Sequence, residues 1–115
     1  MKRFVTVAMA AAFAAIALPA VVSTQGDKDK IEAGKKVYAA QKCSTCHSIA
    51  GVGSKMAPLD GVGSKLSAAE IKAWITDPDP LTAKLATKPK IKMKKYTLPE
   101  ADLEALVAYM LSLKK

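Results

Sequence analysis

The chain has one histidine, two cysteines and one tryptophan in 115 residues, and aromatics make up only 5% of it. Each scarcity excludes something. Structural zinc takes four protein ligands, which one histidine and two cysteines do not supply. Two cysteines allow at most one disulfide. No stretch alternates apolar and polar residues between turn signals of its own, so no strand is expected. No Gly-Lys-Ser or Gly-Lys-Thr occurs, so there is no phosphate loop. GVGSKM at 51–56 returns as GVGSKL at 61–66, but one short echo does not define a repeat and is read as coincidence. The length holds one small domain.

What is present begins with a presequence. A basic MKR, the apolar FVTVAMAAAFAAIAL and then PAVVST, with Pro19 as breaker ahead of small residues, read as a secretory signal peptide over residues 1–23. Cleavage is expected after Ser23, with Ala20 as the alternative site. An uncleaved anchor is the competing reading, because Phe4–Val22 approaches the ~18 apolar residues of a membrane span. Loss of Lys2 and Arg3 would lower the formal net charge from +8 to +6. A domain of residues 24–115 is small enough to need support beyond its apolar core, such as a cofactor.

Three segments have helical periodicity. The first spans about Asp27–Lys42, with Ile31, Gly34, Val37 and Tyr38 on one face. The second opens at Ser67, which with Glu70 forms a capping box, places Ile71, Trp74 and Ile75 together and stops at Asp77-Pro78. The third is expected to take Thr97 as cap with Glu100, and to carry a stripe of Leu103, Leu106, Val107, Met110 and Leu113. Two long connections, 48–66 and 77–96, serve only these three helices. Loops of that length are uncommon in a compact domain unless functional or disordered, so either the helix assignment is incomplete or the loops wrap something large.

The first helix runs into KCSTCHS, which contains Cys43, Cys46 and His47. Cys-x-x-Cys-His is the c-type haem attachment sequence. Two thiols at this spacing reach the two vinyl groups of a porphyrin, and the adjacent imidazole lies under the iron. A thioredoxin-like pair would need a βαβ setting, and a plain disulfide would leave His47 and the long loops without a purpose. Covalent haem attachment takes place outside the cytoplasm, which agrees with an export signal.

With that motif the chain resembles the class I c-type cytochromes over essentially all of residues 24–115. GKKVYAAQKCSTCH is similar to their N-terminal helix, and LVAYMLSL to the C-terminal helix that crosses it. APLDGVGSKLS is similar to the segment after the motif, and AEIKAWITDP to the middle helix. The resemblance implies an all-α cytochrome c fold, in which three main helices and long loops wrap one covalently attached haem c and its iron. It implies that Pro58 packs by His47 and accepts its ring N–H through the carbonyl, that Trp74 lies against the haem, and that Met93 is the second axial ligand. Lys94 stands where the family often has proline. Bis-histidine ligation is excluded by the single histidine. Met110 belongs to an apolar stripe, and Met56, nine residues after His47, is expected to stay on the same side as that histidine. Met56, or an open or lysine-ligated site, is the alternative to Met93.

The function implied is that of a monohaem single-electron carrier between exported or membrane-bound redox partners, periplasmic or otherwise exported, and not an enzyme. A dedicated haem subunit of a larger dehydrogenase or oxidase complex is the alternative. A gas-binding or peroxidase-like protein would want a distal histidine the chain does not have. The lysines imply partners with acidic docking surfaces. Nucleic acid is not expected, since the basic run lacks interleaved aromatics; a monomer is. That run, TKPKIKMKKYT at 87–97, would if extended alternate Lys88, Lys90, Lys92 and Lys94 toward water with Pro89, Ile91 and Met93 inward.

Overall fold

A computed structural model describes residues 24–115, and the expected presequence lies outside them. The element order is α1 (Thr24–Ala40), a 3₁₀ turn (Cys43–Thr45), β1 (His47–Ile49), β2 (Val52–Gly53), β3 (Ala57–Pro58), α2 (Val62–Lys65), α3 (Ala68–Thr76), α4 (Asp79–Ala83) and α5 (Glu100–Ser112). Among the described residues no helix is long and apolar enough to cross a membrane.

The three expected helices are α1, α3 and α5, and they build the core. Val37 of α1, Ile71 and Ile75 of α3, and Leu103, Leu106 and Met110 of α5 form one buried cluster. The crossing of α1 and α5 depends on Gly34. A methyl group there would stand 2.2 Å from the Ala105 carbonyl oxygen and 2.6 Å from Tyr109 Cβ, so only glycine lets the two backbones touch. Tyr38 and Tyr109 extend this contact with ring centroids 5.9 Å apart and planes at 83°, an edge-to-face arrangement.

Ser67 caps α3 as expected. Its hydroxyl accepts from Glu70 N at 3.2 Å, and the Glu70 carboxylate accepts from Ser67 N at 3.1 Å. Asp77 ends the helix, and Pro78, fully buried, starts α4.

Three expectations are corrected. Helix α1 runs Thr24–Ala40 rather than from Asp27 to Lys42, because Lys42 takes a left-handed conformation (φ 55°) that breaks the ladder. Helix α5 is not capped by Thr97. A Thr97 cap would make Leu98 the first helical residue, and Leu98 precedes a proline, which disfavours the helical region. Pro99 is the N-cap instead, with no side-chain bond, and Glu100 turns to Lys72 at 3.7 Å.

The third correction concerns strands. β1 pairs antiparallel with β2 (Ser48↔Gly53, Ile49↔Val52) and parallel with β3 (His47↔Ala57, Ser48↔Pro58). Strands of two or three residues are too short to show a period of two, so the pattern could not reveal them. The β1–β2 turn is Ala50-Gly51, both with positive φ (51° and 79°), the twist a two-residue hairpin favours. Asp60 holds it by accepting Ala50 N at 2.8 Å.

Candidate functional site

The attachment motif is folded by backbone bonds on both sides. Helix α1 closes with Gln41 N donating to Val37 O at 2.9 Å, and left-handed Lys42 turns the chain into the 3₁₀ segment. There Cys46 N donates to Cys43 O at 3.2 Å. The following loop folds back, with Ser54 N donating to Ser44 O at 3.0 Å and Ala57 N to Cys46 O at 3.1 Å. Both thiols are half-buried and unbridged.

His47 is half-buried at the start of β1, and its Nδ1 lies 2.8 Å from the Ala57 carbonyl oxygen. A carbonyl only accepts, so Nδ1 carries the proton and Nε2 keeps its lone pair for a metal. This partner corrects the expectation for Pro58. The parallel pairing sets His47 beside Ala57, one residue earlier, and Pro58 is exposed opposite Ser48. Nothing in the sequence could have marked Ala57, since every residue has a carbonyl.

Around Cys43 the fold gathers Tyr38, Lys94 and Tyr96. Burial pushes the Cys43 thiol above its ordinary pKa, and the Lys94 ammonium draws it partly back. Burial likewise raises Tyr96, with both cysteines adding to it. Tyr38 is pushed up to about 12, chiefly by burial, and its hydroxyl is buried with no hydrogen-bond partner. Lys94 Nζ also sits 4.9 Å from the centroid of the Tyr96 ring.

The three methionines separate as their surroundings dictate. Met110 is buried in the core, Met93 is half-buried and packed against it, and Met56 is 60% exposed. Of the alternation expected around Met93, the four lysines are exposed as expected, but of the three inward positions only Met93 is sheltered. Pro89 and Ile91 are exposed, Ile91 at 59%, because the segment is irregular and no neighbouring strand imposes a period of two. Lys88 is also not simply a solvated group: its ammonium donates to the Thr82, Ala83 and Leu85 carbonyls and closes the end of α4. Trp74 is half-buried on α3, outside the main cluster. Lys95, not singled out by the sequence, pairs with Asp77 at 3.2 Å and Asp79 at 3.5 Å. The Asp77 carboxylate, followed by Asp79, holds its pKa above the ordinary lysine value.

Among the described residues no three histidine, cysteine or acidic side chains converge on a point where they could hold a metal ion. A family model described as cytochrome c matches residues 31–114. The chain belongs to the cytochrome c family. It is a haem-binding c-type cytochrome, and the match runs from Ile31, within α1, past the end of α5. The curated proteins and the solved structures compared with it give no match. The residues present fit haem c: two unbridged thiols at the attachment spacing, an imidazole whose Nε2 is left available, and a half-buried thioether beyond α4. The mostly helical architecture agrees with the cytochrome c fold.

Proposed function

We propose that the chain is a class I c-type cytochrome that carries single electrons between exported or membrane-bound redox partners. In this reading Cys43 and Cys46 hold the porphyrin through thioethers, and His47 and Met93 are the axial ligands. The observation that carries it is the His47–Ala57 contact beside two unbridged thiols. It commits one ring nitrogen to the backbone and frees the other for a metal. Met93 is favoured over Met56 and Met110 by its intermediate burial. It is accessible enough to leave the core and sheltered enough to exclude water.

When bound, haem c supplies a one-electron iron couple. If His47 and Met93 both hold the iron, no position would remain for a substrate, which favours a carrier over a catalyst. Cys43, Tyr38 and Tyr96, all partly buried, would help shelter the attached group, and a soft thioether from Met93 would favour the reduced metal. Lys90, Lys92 and Lys94 are exposed on the Met93 loop. Their charge suits partners with acidic docking surfaces, whose association would weaken as salt rises. Residues 1–23 would export the chain to the periplasm or an equivalent compartment. The chain would act as a monomer, without nucleic acid.

The test is an absorption spectrum of the oxidised, haem-loaded protein. The weak far-red band of iron–thioether bonding should vanish in Met93→Ala and persist in Met56→Ala. Retention of the band in Met93→Ala would overturn the ligand assignment.

A further inference from the structure

The loop that carries Met93 runs from Lys84 to Pro99 without helix or strand. A segment of that length has no ladder to hold one side chain in place, so its ties to the rest of the molecule matter. Upstream, Lys88 fastens it to the carbonyl end of α4. Downstream, two ties converge within three residues of Met93. Tyr96 N donates to Ile75 O at 3.0 Å, and Lys95 forks onto Asp77 Oδ1 at 3.2 Å and Asp79 Oδ2 at 3.5 Å.

The two carboxylates flank Pro78, which is fully buried between α3 and α4. A buried proline fixes the backbone from which both acids project, so they form a prepared seat for one cation. Asp77 also stands at the C-terminal end of α3, where a carboxylate opposes the helix dipole unless a cation accompanies it. Among the described residues the ion pairs to Asp77 and Asp79 come from Lys95, and Lys90 and Lys92 of the same loop form none.

We propose that Lys95 is a positioning residue for Met93, its ion pairs with Asp77 and Asp79 pinning the end of the loop that presents the thioether. The proposal rests on the reading of Met93 as axial ligand. When the pair opens, the Tyr96–Ile75 bond and the packing of Tyr96 and Leu98 on the core are what hold the segment downstream among the described residues, and Met93 would leave the metal more often.

Two measurements on the haem-loaded protein test this. Amide hydrogen exchange at Tyr96 reports the opening of the loop end, whatever ligates the iron. The rate at which cyanide binds the oxidised protein reports how often the sixth position opens. Lys95→Ala should raise both rates about two- to fivefold, the range expected for exposed ion pairs. Lys95→Arg should restore them, and adding Asp77→Asn/Asp79→Asn to Lys95→Ala should bring no further rise. Lys90→Ala should match the wild type. Unchanged Tyr96 exchange in Lys95→Ala would show there is no latch and overturn the proposal. Faster exchange with an unchanged cyanide rate would also overturn it, and the far-red band then assigns the failure. If Met93→Ala loses the band, the latch exists but does not position Met93. If Met93→Ala keeps it, the ligand reading has failed.

Discussion

Residues 51–55 and 61–65 are both Gly-Val-Gly-Ser-Lys, and they fold differently. Both open on a glycine at φ 79°. After that shared step the first copy becomes the end of a hairpin turn and strand β2, with Val52 74% exposed. The second becomes helix α2, with Val62 packed against the core and Gly63 N donating to Leu113 O at 2.8 Å. Five identical residues have one set of propensities, so the neighbours decide. The first copy lies between β1, which pairs with it, and β3. The second lies between Asp60 and the capping box at Ser67, and backs onto the end of α5. Asp60, just ahead of the second copy, also holds the turn that opens the first.

Substituting equivalent positions tests how far the two copies differ. The largest effects belong to the third residue of each. A methyl group on Gly63 would meet the Leu111 carbonyl oxygen at 2.2 Å, and one on Gly53 the His47 carbonyl oxygen at 2.3 Å. Gly63→Ala should cost about 3 kcal/mol in denaturant unfolding, since two helices must separate. Gly53→Ala should cost about 2 kcal/mol, because φ 106° is also denied to alanine. Equal and negligible costs would mean that both contacts relax freely.

The second position should show the widest contrast. Val62→Ser removes apolar area from the core and should lower stability by about 1–2 kcal/mol, whereas Val52→Ser should stay within about 0.5 kcal/mol. At the first position the backbone cost should be shared. Gly51→Ala and Gly61→Ala each force alanine to φ 79° at about 1 kcal/mol, and Gly61→Ala should lower Tm slightly more because its methyl group would stand 3.1 Å from Lys115 Cβ while that at Gly51 meets open space. The smallest cost belongs to the fourth position. Ser64 accepts from Lys115 N at 3.1 Å and donates to Lys115 O at 3.2 Å, so Ser64→Ala should cost about 1 kcal/mol. Ser54 only accepts from Met56 N at 3.3 Å on the surface, and Ser54→Ala should cost about 0.3 kcal/mol.

The same contrast explains what could be read before the structure was in hand. Periodic stripes located α1, α3 and α5, and the Ser67–Glu70 box located the start of α3, because these signals are local. Cys43, Cys46 and His47 were legible because their spacing is itself the chemistry. The short elements were not: α2, α4 and the three strands run only two to five residues, too few to display a period, and their surroundings decide their form, as the two GVGSK copies demonstrate. The Ala57 carbonyl and the Lys95 fork escaped notice for a related reason. One is a backbone atom carrying no residue signature, and the other joins a lysine to acids sixteen and eighteen positions earlier.

The His47–Ala57 contact has a further consequence for how this protein can vary. Because the acceptor is main chain, no change of side chain at position 57 removes it. A survey of point substitutions would pass over the position as tolerant. Length is what the contact constrains: one residue inserted or deleted between Ile49 and Ala57 would slide β3 along β1 and bring a different carbonyl to the ring. In lineages of such chains this stretch would drift freely in identity while keeping its count, and the angle of the imidazole would be inherited as a spacing.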